Sequence, residues 1–176
     1  MGDKVASLTT LSTPHLGSVT MDKLMKIPSF IMKTGCFFAD LWFRLLGDKK
    51  PATHKVLESF TTERAKRFNC ENPDRDDIYY QSYAFVMKKA TSDMFMFFTS
   101  LFVSVVEGEN DGLLTPDAVK WGEFRGIVRS AGRRGISHCD EVDMRRRPLS
   151  KKSGEGVSNI TEVYKKIICD LTSLGL

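Results

Sequence analysis

Apolar and polar positions along the 176 residues change their period several times, and the changes outline alternating strands and helices. Residues 4–12 are rich in β-branched and apolar types and stop at Thr13-Pro14-His15-Leu16-Gly17, which predicts a short strand running into a loop. Between Met21 and Gly47, Leu24, Met25, Ile27, Ile31, Phe37, Phe38, Leu41, Trp42, Leu45 and Leu46 recur at helical spacing, which predicts two short helices broken near Pro28 or Gly35. Thr53 to Phe68 predicts one polar amphipathic helix, and Ile78 to Met87, after the Asn72-Pro73-Asp74 turn, gives the clearest strand. Asp93 to Val106 is apolar enough to be buried and fits helix or strand. Thr115-Pro116-Asp117 has the chemistry of a helix start and predicts a short helix to about Lys120. Phe124 to Arg129 predicts another strand, 150–156 a polar loop, and 157–176 a final amphipathic helix with Ile160, Val163, Ile167, Ile168 and Leu171 on one face. The alternation predicts the α/β class, with a mainly parallel sheet flanked by helices.

The first strand begins almost at Met1. A central strand of a parallel sheet needs a neighbour on each side, so the sheet is expected to be partial. One domain, 1–176, suits the length, with the 20–50 stretch set apart by its apolar character. That stretch reads either as a core helix pair or as an apolar lid, in which Phe37, Phe38 and Trp42 would meet lipid; its methionines suit a surface that repacks.

Composition changes this picture little. A 41% apolar and 27% charged chain is ordinary for a globular protein, and a net charge of +4 is mild. Nucleic-acid binding has no motif to support it. The basic run Arg145-Arg146-Arg147, with Lys151 and Lys152, reads as a solvated face, as partners for Asp140, Glu141 and Asp143, or as a weak attraction to anionic lipid. The longest apolar run, Met94 to Val106, falls short of the roughly 20 residues a membrane-spanning helix needs. The N-terminus has neither a signal-peptide nor a myristoylation pattern, so the compartment stays open and any targeting signal is expected before Met1. Cys36, Cys70, Cys139 and Cys169 are widely spaced, with no zinc-like grouping.

The candidate chemistry lies in two loop motifs. Asn110-Asp111-Gly112 puts a carboxylate in a turn after an apolar segment, and Ser137-His138-Cys139-Asp140-Glu141 puts an imidazole in a second loop. Each alone reads as an ordinary turn or surface residue. Together, acid before base, they follow the order of the last two members of an α/β-hydrolase triad. Asp111 would hold the imidazole tautomer and His138 would take a serine proton. No Gly-x-Ser-x-Gly occurs in the sequence, and the serines present offer no substitute. Cys139 is a poor candidate nucleophile, because adjacent side chains on a loop rarely face each other.

These motifs and their flanks resemble the bacterial-type triacylglycerol lipases and their relatives in the α/β-hydrolase superfamily. The resemblance is carried by 7–18 (Ser-Leu-Thr-Thr-Leu-Ser-Thr-Pro-His-Leu-Gly-Ser), 79–83 (Tyr-Tyr-Gln-Ser-Tyr), 109–115 (Glu-Asn-Asp-Gly-Leu-Leu-Thr) with Lys120-Trp121-Gly122, and 137–143 (Ser-His-Cys-Asp-Glu-Val-Asp). It implies the C-terminal portion of an α/β-hydrolase fold with a helical lid, Asp111 as catalytic acid and His138 as catalytic base. The nucleophilic serine is then expected upstream of Met1, and His15 is expected to pack behind the site. The reaction implied is hydrolysis of an acylglycerol or other carboxylic ester at a lipid–water interface. It requires no cofactor. Relatives hold a structural Ca²⁺ near the histidine loop, and the resemblance implies Asp140 and Asp93 as its ligands; Met144 departs from the pattern, since a thioether is a poor calcium donor. Without calcium, the two acids would cap helices or pair with arginine.

Two other functions stay open at this point: a non-catalytic hydrolase-like remnant that binds lipid or a partner, and a thioesterase or acyltransferase on the same fold.

Overall fold

Ser7–Leu11 (β1), Tyr79–Phe85 (β2) and Glu123–Val128 (β3) form a three-stranded sheet in the order β1-β2-β3, with both pairings parallel. The structure, a computed structural model, describes residues 4–150 and 154–176; Lys151 and Lys152 of the basic run lie outside the described residues. β2 is the middle strand, and Gln81 to Phe85 are all buried, as a strand covered on both faces requires. Tyr83 and Phe85 point to one face, where Ile136, Leu149 and the buried stripe Ile160, Val163 and Ile167 pack against them. Ala84 points to the other face, under Leu114, Ala118 and Val119. β1 has one strand neighbour, β2, among the described residues.

The chain divides into two compact units, one made of 1–16 with 73–176 and the other of 17–72. The sheet, Phe97–Val106 (α5), the single-turn His138–Glu141 (α6) and Ile160–Ser173 (α7) belong to the first. Asn159 caps α7 by accepting from the Thr161 amide. Val19–Leu24 (α1), Ser29–Leu45 (α2), Thr53–Ser59 (α3) and Thr62–Glu71 (α4) belong to the second.

Four details differ from the sequence-based expectation. First, the predicted helix over 53–68 is two helices. The Ser18 amide takes the Phe60 carbonyl, and the Asp22 carboxylate accepts from the Thr62 amide at 2.9 Å and its hydroxyl at 2.7 Å, so contacts from α1 close α3 and start α4. Secondly, the break falls at Pro28, one of the two expected places, but the helix after it is long and not short: α2 spans 17 residues, and Gly35 sits inside it without interrupting it. Thirdly, Thr115 to Val119 makes one hydrogen-bonded turn, closed by the Ala118 amide on the Thr115 carbonyl, and no helix. The Trp121 amide is already committed to the Ser82 hydroxyl at 2.9 Å, which draws the chain into β3. Fourthly, α5 is a helix but a largely exposed one: only Ser100 and Val103 are buried, while Phe98 and Val105 face outward. On α7, Ile168 is likewise exposed, one step off the buried stripe.

Candidate active site

The carboxyl ends of the strands converge on one region. Ser12 follows β1; the Met87 amide just past β2 donates to the Asn110 carbonyl at 2.8 Å; and the Ile136 amide donates to the Val86 carbonyl at 2.9 Å. The Asp111 loop and the His138 loop are thus both fastened to the end of the middle strand, where parallel α/β sheets place ligands and chemistry. Gly135 makes the second attachment close. Its φ is +78°, and a Cβ there would lie 2.5 Å from the Lys88 nitrogen and 2.6 Å from the Val86 oxygen.

The Asn-Asp-Gly turn is built by its own side chains. Asn110 Oδ1 accepts from the Gly112 amide at 2.9 Å, and its Nδ2 donates to the Gly108 carbonyl at 2.8 Å. Asp111 Oδ1 accepts from the Leu113 and Leu114 amides at 2.9 and 2.8 Å. The other carboxylate oxygen is left for His138: Oδ2 lies 2.9 Å from Nδ1. The backbone repeats the connection, with the His138 amide donating to the Asp111 carbonyl at 2.8 Å. Asp111 is wholly buried. Burial alone would push its carboxyl up, but the His138 hydrogen bond and charge, with the Glu141 and Leu113 contacts, outweigh burial and hold it below its ordinary value. An ionised carboxylate only accepts, so Nδ1 donates to it, and in the neutral ring this places the lone pair on Nε2. The His138 side chain is about a third exposed, and its Nε2 makes no hydrogen bond among the described residues.

Glu141 completes the group. Its carboxylate lies 3.6 Å from His138 Nδ1 and its side chain is buried, far from the surface role the sequence suggested beside the arginines. Burial, then the Asp111 charge, push its carboxyl well above the ordinary range, while Ser12 draws it partly back. Burial and the Asp111 charge thus favour the neutral form of Glu141, while the contacts of Asp111 favour its ionised form. Its Oε1 has no partner among the described residues, and Tyr164 donates to its backbone carbonyl. Atoms of Asp111, His138 and Glu141 lie within 4.8 Å of one another, a spacing that could hold a cation only if Glu141 released its proton. The sequence offered one signal for Glu141, its place three residues after His138 on a helical turn.

The remaining candidates fall elsewhere. His15 stacks on Trp121, with ring centroids 4.3 Å apart, and its Nε2 lies 3.1 Å from the Thr10 hydroxyl; burial lowers its pKa. Cys139 is buried, which pushes its thiol up, the reverse of an activated nucleophile. Phe37, Phe38 and Trp42 lie on α2 in the 17–72 unit, 64%, 63% and 61% exposed.

Asp93 and Asp140 do meet, through Ser137. The Ser137 hydroxyl lies 2.6 Å from Asp93 Oδ2 and 2.9 Å from Asp140 Oδ2, and the Ser137 amide also donates to Asp140 Oδ2 at 2.9 Å. Arg145 pairs with Asp93, and Arg134 pairs with Asp140 Oδ1 at 2.8 Å. The basic run therefore sends Arg145 to a residue outside the acidic stretch first expected to receive it. A Ca²⁺ needs six to eight oxygens, and here both acids are already paired with guanidinium groups; the donor set does not fit it.

No protein-family model matches the chain. It is 28% identical to triacylglycerol lipase 2 of Saccharomyces cerevisiae over 184 aligned positions, which cover 97% of this chain and 50% of that protein. The chain is lipase-like in sequence. It spans about half the length of that curated relative. A solved lipase, BlEst2 of Bacillus licheniformis in its mature form, aligns with a TM-score of 0.47 and 22% identity over 71% of this chain and 47% of that one.

Proposed function

We propose that this chain supplies the acid and the base of a carboxylic-ester hydrolase of the lipase type, with an acylglycerol or related ester as substrate. The observation that carries the proposal is the 2.9 Å contact between Asp111 Oδ2 and His138 Nδ1, with the carboxylate buried and the imidazole partly open. The likeness to a triacylglycerol lipase supports the reaction class.

The chemistry follows from the proton positions. Nε2 of His138 accepts the proton of a serine hydroxyl as that oxygen attacks the ester carbonyl. The imidazolium so formed is stabilised by Asp111, and returns the proton to the leaving alcohol. A water molecule then repeats the sequence on the acyl-serine. The attacking serine comes from outside these 176 residues, since no Gly-x-Ser-x-Gly elbow occurs within them.

The test is hydrolysis of p-nitrophenyl acyl esters by this chain joined to, or mixed with, the segment bearing that elbow. His138→Ala is expected to lower kcat roughly 10⁴-fold or more. Undiminished turnover in His138→Ala removes the assignment. The 176 residues alone are expected to give no turnover, and detectable hydrolysis by the pure chain contradicts that part.

A further inference from the structure

We propose that Arg134 and Arg145 stand in for a divalent cation at the base of the His138 loop, making this loop independent of calcium. The proposal rests on the ion pairs and does not depend on the ester-hydrolase reading.

The oxygens gathered here are of the kind a hard cation collects: Asp93, Asp140, the Ser137 hydroxyl and the Ser92 carbonyl. The two carboxylates and the carbonyl already face a guanidinium, and the Ser137 hydroxyl bridges the two carboxylates. Arg145 pairs with Asp93 and lies 3.5 Å from the Ser92 oxygen; Arg134 pairs with Asp140 at 2.8 Å and lies 3.4 Å from the same carbonyl. One carbonyl shared by two cationic groups, with a carboxylate beside each, reproduces what a bound ion does to such oxygens. The charges balance, two carboxylates against two guanidinium groups, so an added Ca²⁺ would find no net negative charge to neutralise at a place where Asp93 and Asp140 are both buried.

The mechanical result is the same as a metal clip would give. Asp93 follows the 3₁₀ turn Ala90–Ser92, and Asp140 lies two residues past His138 on α6. The paired arginines tie these segments together, and Asp140 reaches back to the Ser137 amide at the start of α6. Guanidinium groups suit the task, since they stay charged at any working pH and their several donors reach more than one oxygen at once.

The experiment is thermal unfolding of the full chain, followed by circular dichroism, in EDTA and in about 5 mM Ca²⁺, above the ~millimolar Kd of weak oxygen-ligand sites. The native chain is expected to show the same Tm in both. A rise of several degrees in calcium overturns the proposal. In Arg134→Ala/Arg145→Ala, two buried carboxylates lose their partners, and Tm in EDTA is expected to fall by roughly 10 °C. Calcium is then expected to recover part of that loss. Failure to recover it makes the arginines ordinary ion pairs and overturns the substitution. Should the double variant not fold, Arg145→Ala is read in the same way, and a calcium-dependent Tm of the native chain still overturns the proposal.

Discussion

At the residue scale, two carboxyl groups lie beside one imidazole and their pKa values are pushed in opposite directions. Asp111 takes two amides and the His138 ring, which lowers its pKa; burial beside it raises that of Glu141. This has a consequence for pH. The native state retains the Glu141 proton at pH values where the unfolded chain, near the ordinary value of 4.5, has released it. Stability from this group is therefore full below about pH 4.5 and drains away as pH rises towards the raised native pKa. Glu141→Gln, neutral at every pH, is expected to flatten that decline. Urea unfolding midpoints measured from pH 5 to 8 check it, and parallel curves for the native chain and the variant contradict it. The sequence shows Asp111 and His138 as turn residues in a recognisable order. It hides the role of Glu141, because the partner that changes its chemistry lies thirty residues back along the chain. Arg145 is hidden for the same reason: a basic run looks like a solvated face until Asp93, 52 positions earlier, folds against it.

At the scale of elements, local pattern succeeded wherever burial is continuous along one segment. β2 and the Ile160, Val163 and Ile167 stripe of α7 are examples, each carrying enough apolar periodicity to settle its own structure. The pattern failed where a distant group decides. The break between α3 and α4 depends on Asp22 and Ser18, and the turn at 115–119 depends on the Ser82 hydroxyl. The α7 stripe gives a direct comparison. Ile160→Ala removes a buried side chain from the main core and is expected to cost about 2–5 kcal/mol. Ile168→Ala, exposed on the same helix, is expected to change stability by less than about 0.5 kcal/mol. Chemical denaturation of both variants tests the register, and equal losses contradict it. Gly135→Ala should be costly without any loss of apolar area, since its Cβ would push the His138 loop off β2.

At the scale of the whole molecule, both compact units expose aromatic surface. α2 presents Phe37, Phe38, Trp42, Leu45 and Leu46, and the segment around α5 presents Met94, Phe95 and Phe98. Scattered apolar residues are normal on a surface, whereas a run of this kind marks an interaction surface. No helix of the described residues is long and apolar enough to cross a membrane. Adsorption to a lipid surface by these side chains is the expected behaviour, driven by apolar area more than by the +4 net charge. Neutral phosphatidylcholine vesicles should therefore blue-shift the tryptophan emission, at low and high salt alike, and Trp42→Phe should abolish the shift. A shift seen only with anionic vesicles at low salt contradicts this account.

The central claim is that Asp111 holds His138 with its proton on Nδ1 and its lone pair on Nε2. Long-range ¹⁵N–¹H NMR of the chain reports this directly, with the exposed His54 as an internal reference. Above the pKa of the ring, His138 is expected to show a protonated Nδ1 and a bare Nε2, and Asp111→Ala is expected to erase that preference. A His138 ring protonated on Nε2, or one exchanging between tautomers, contradicts the account.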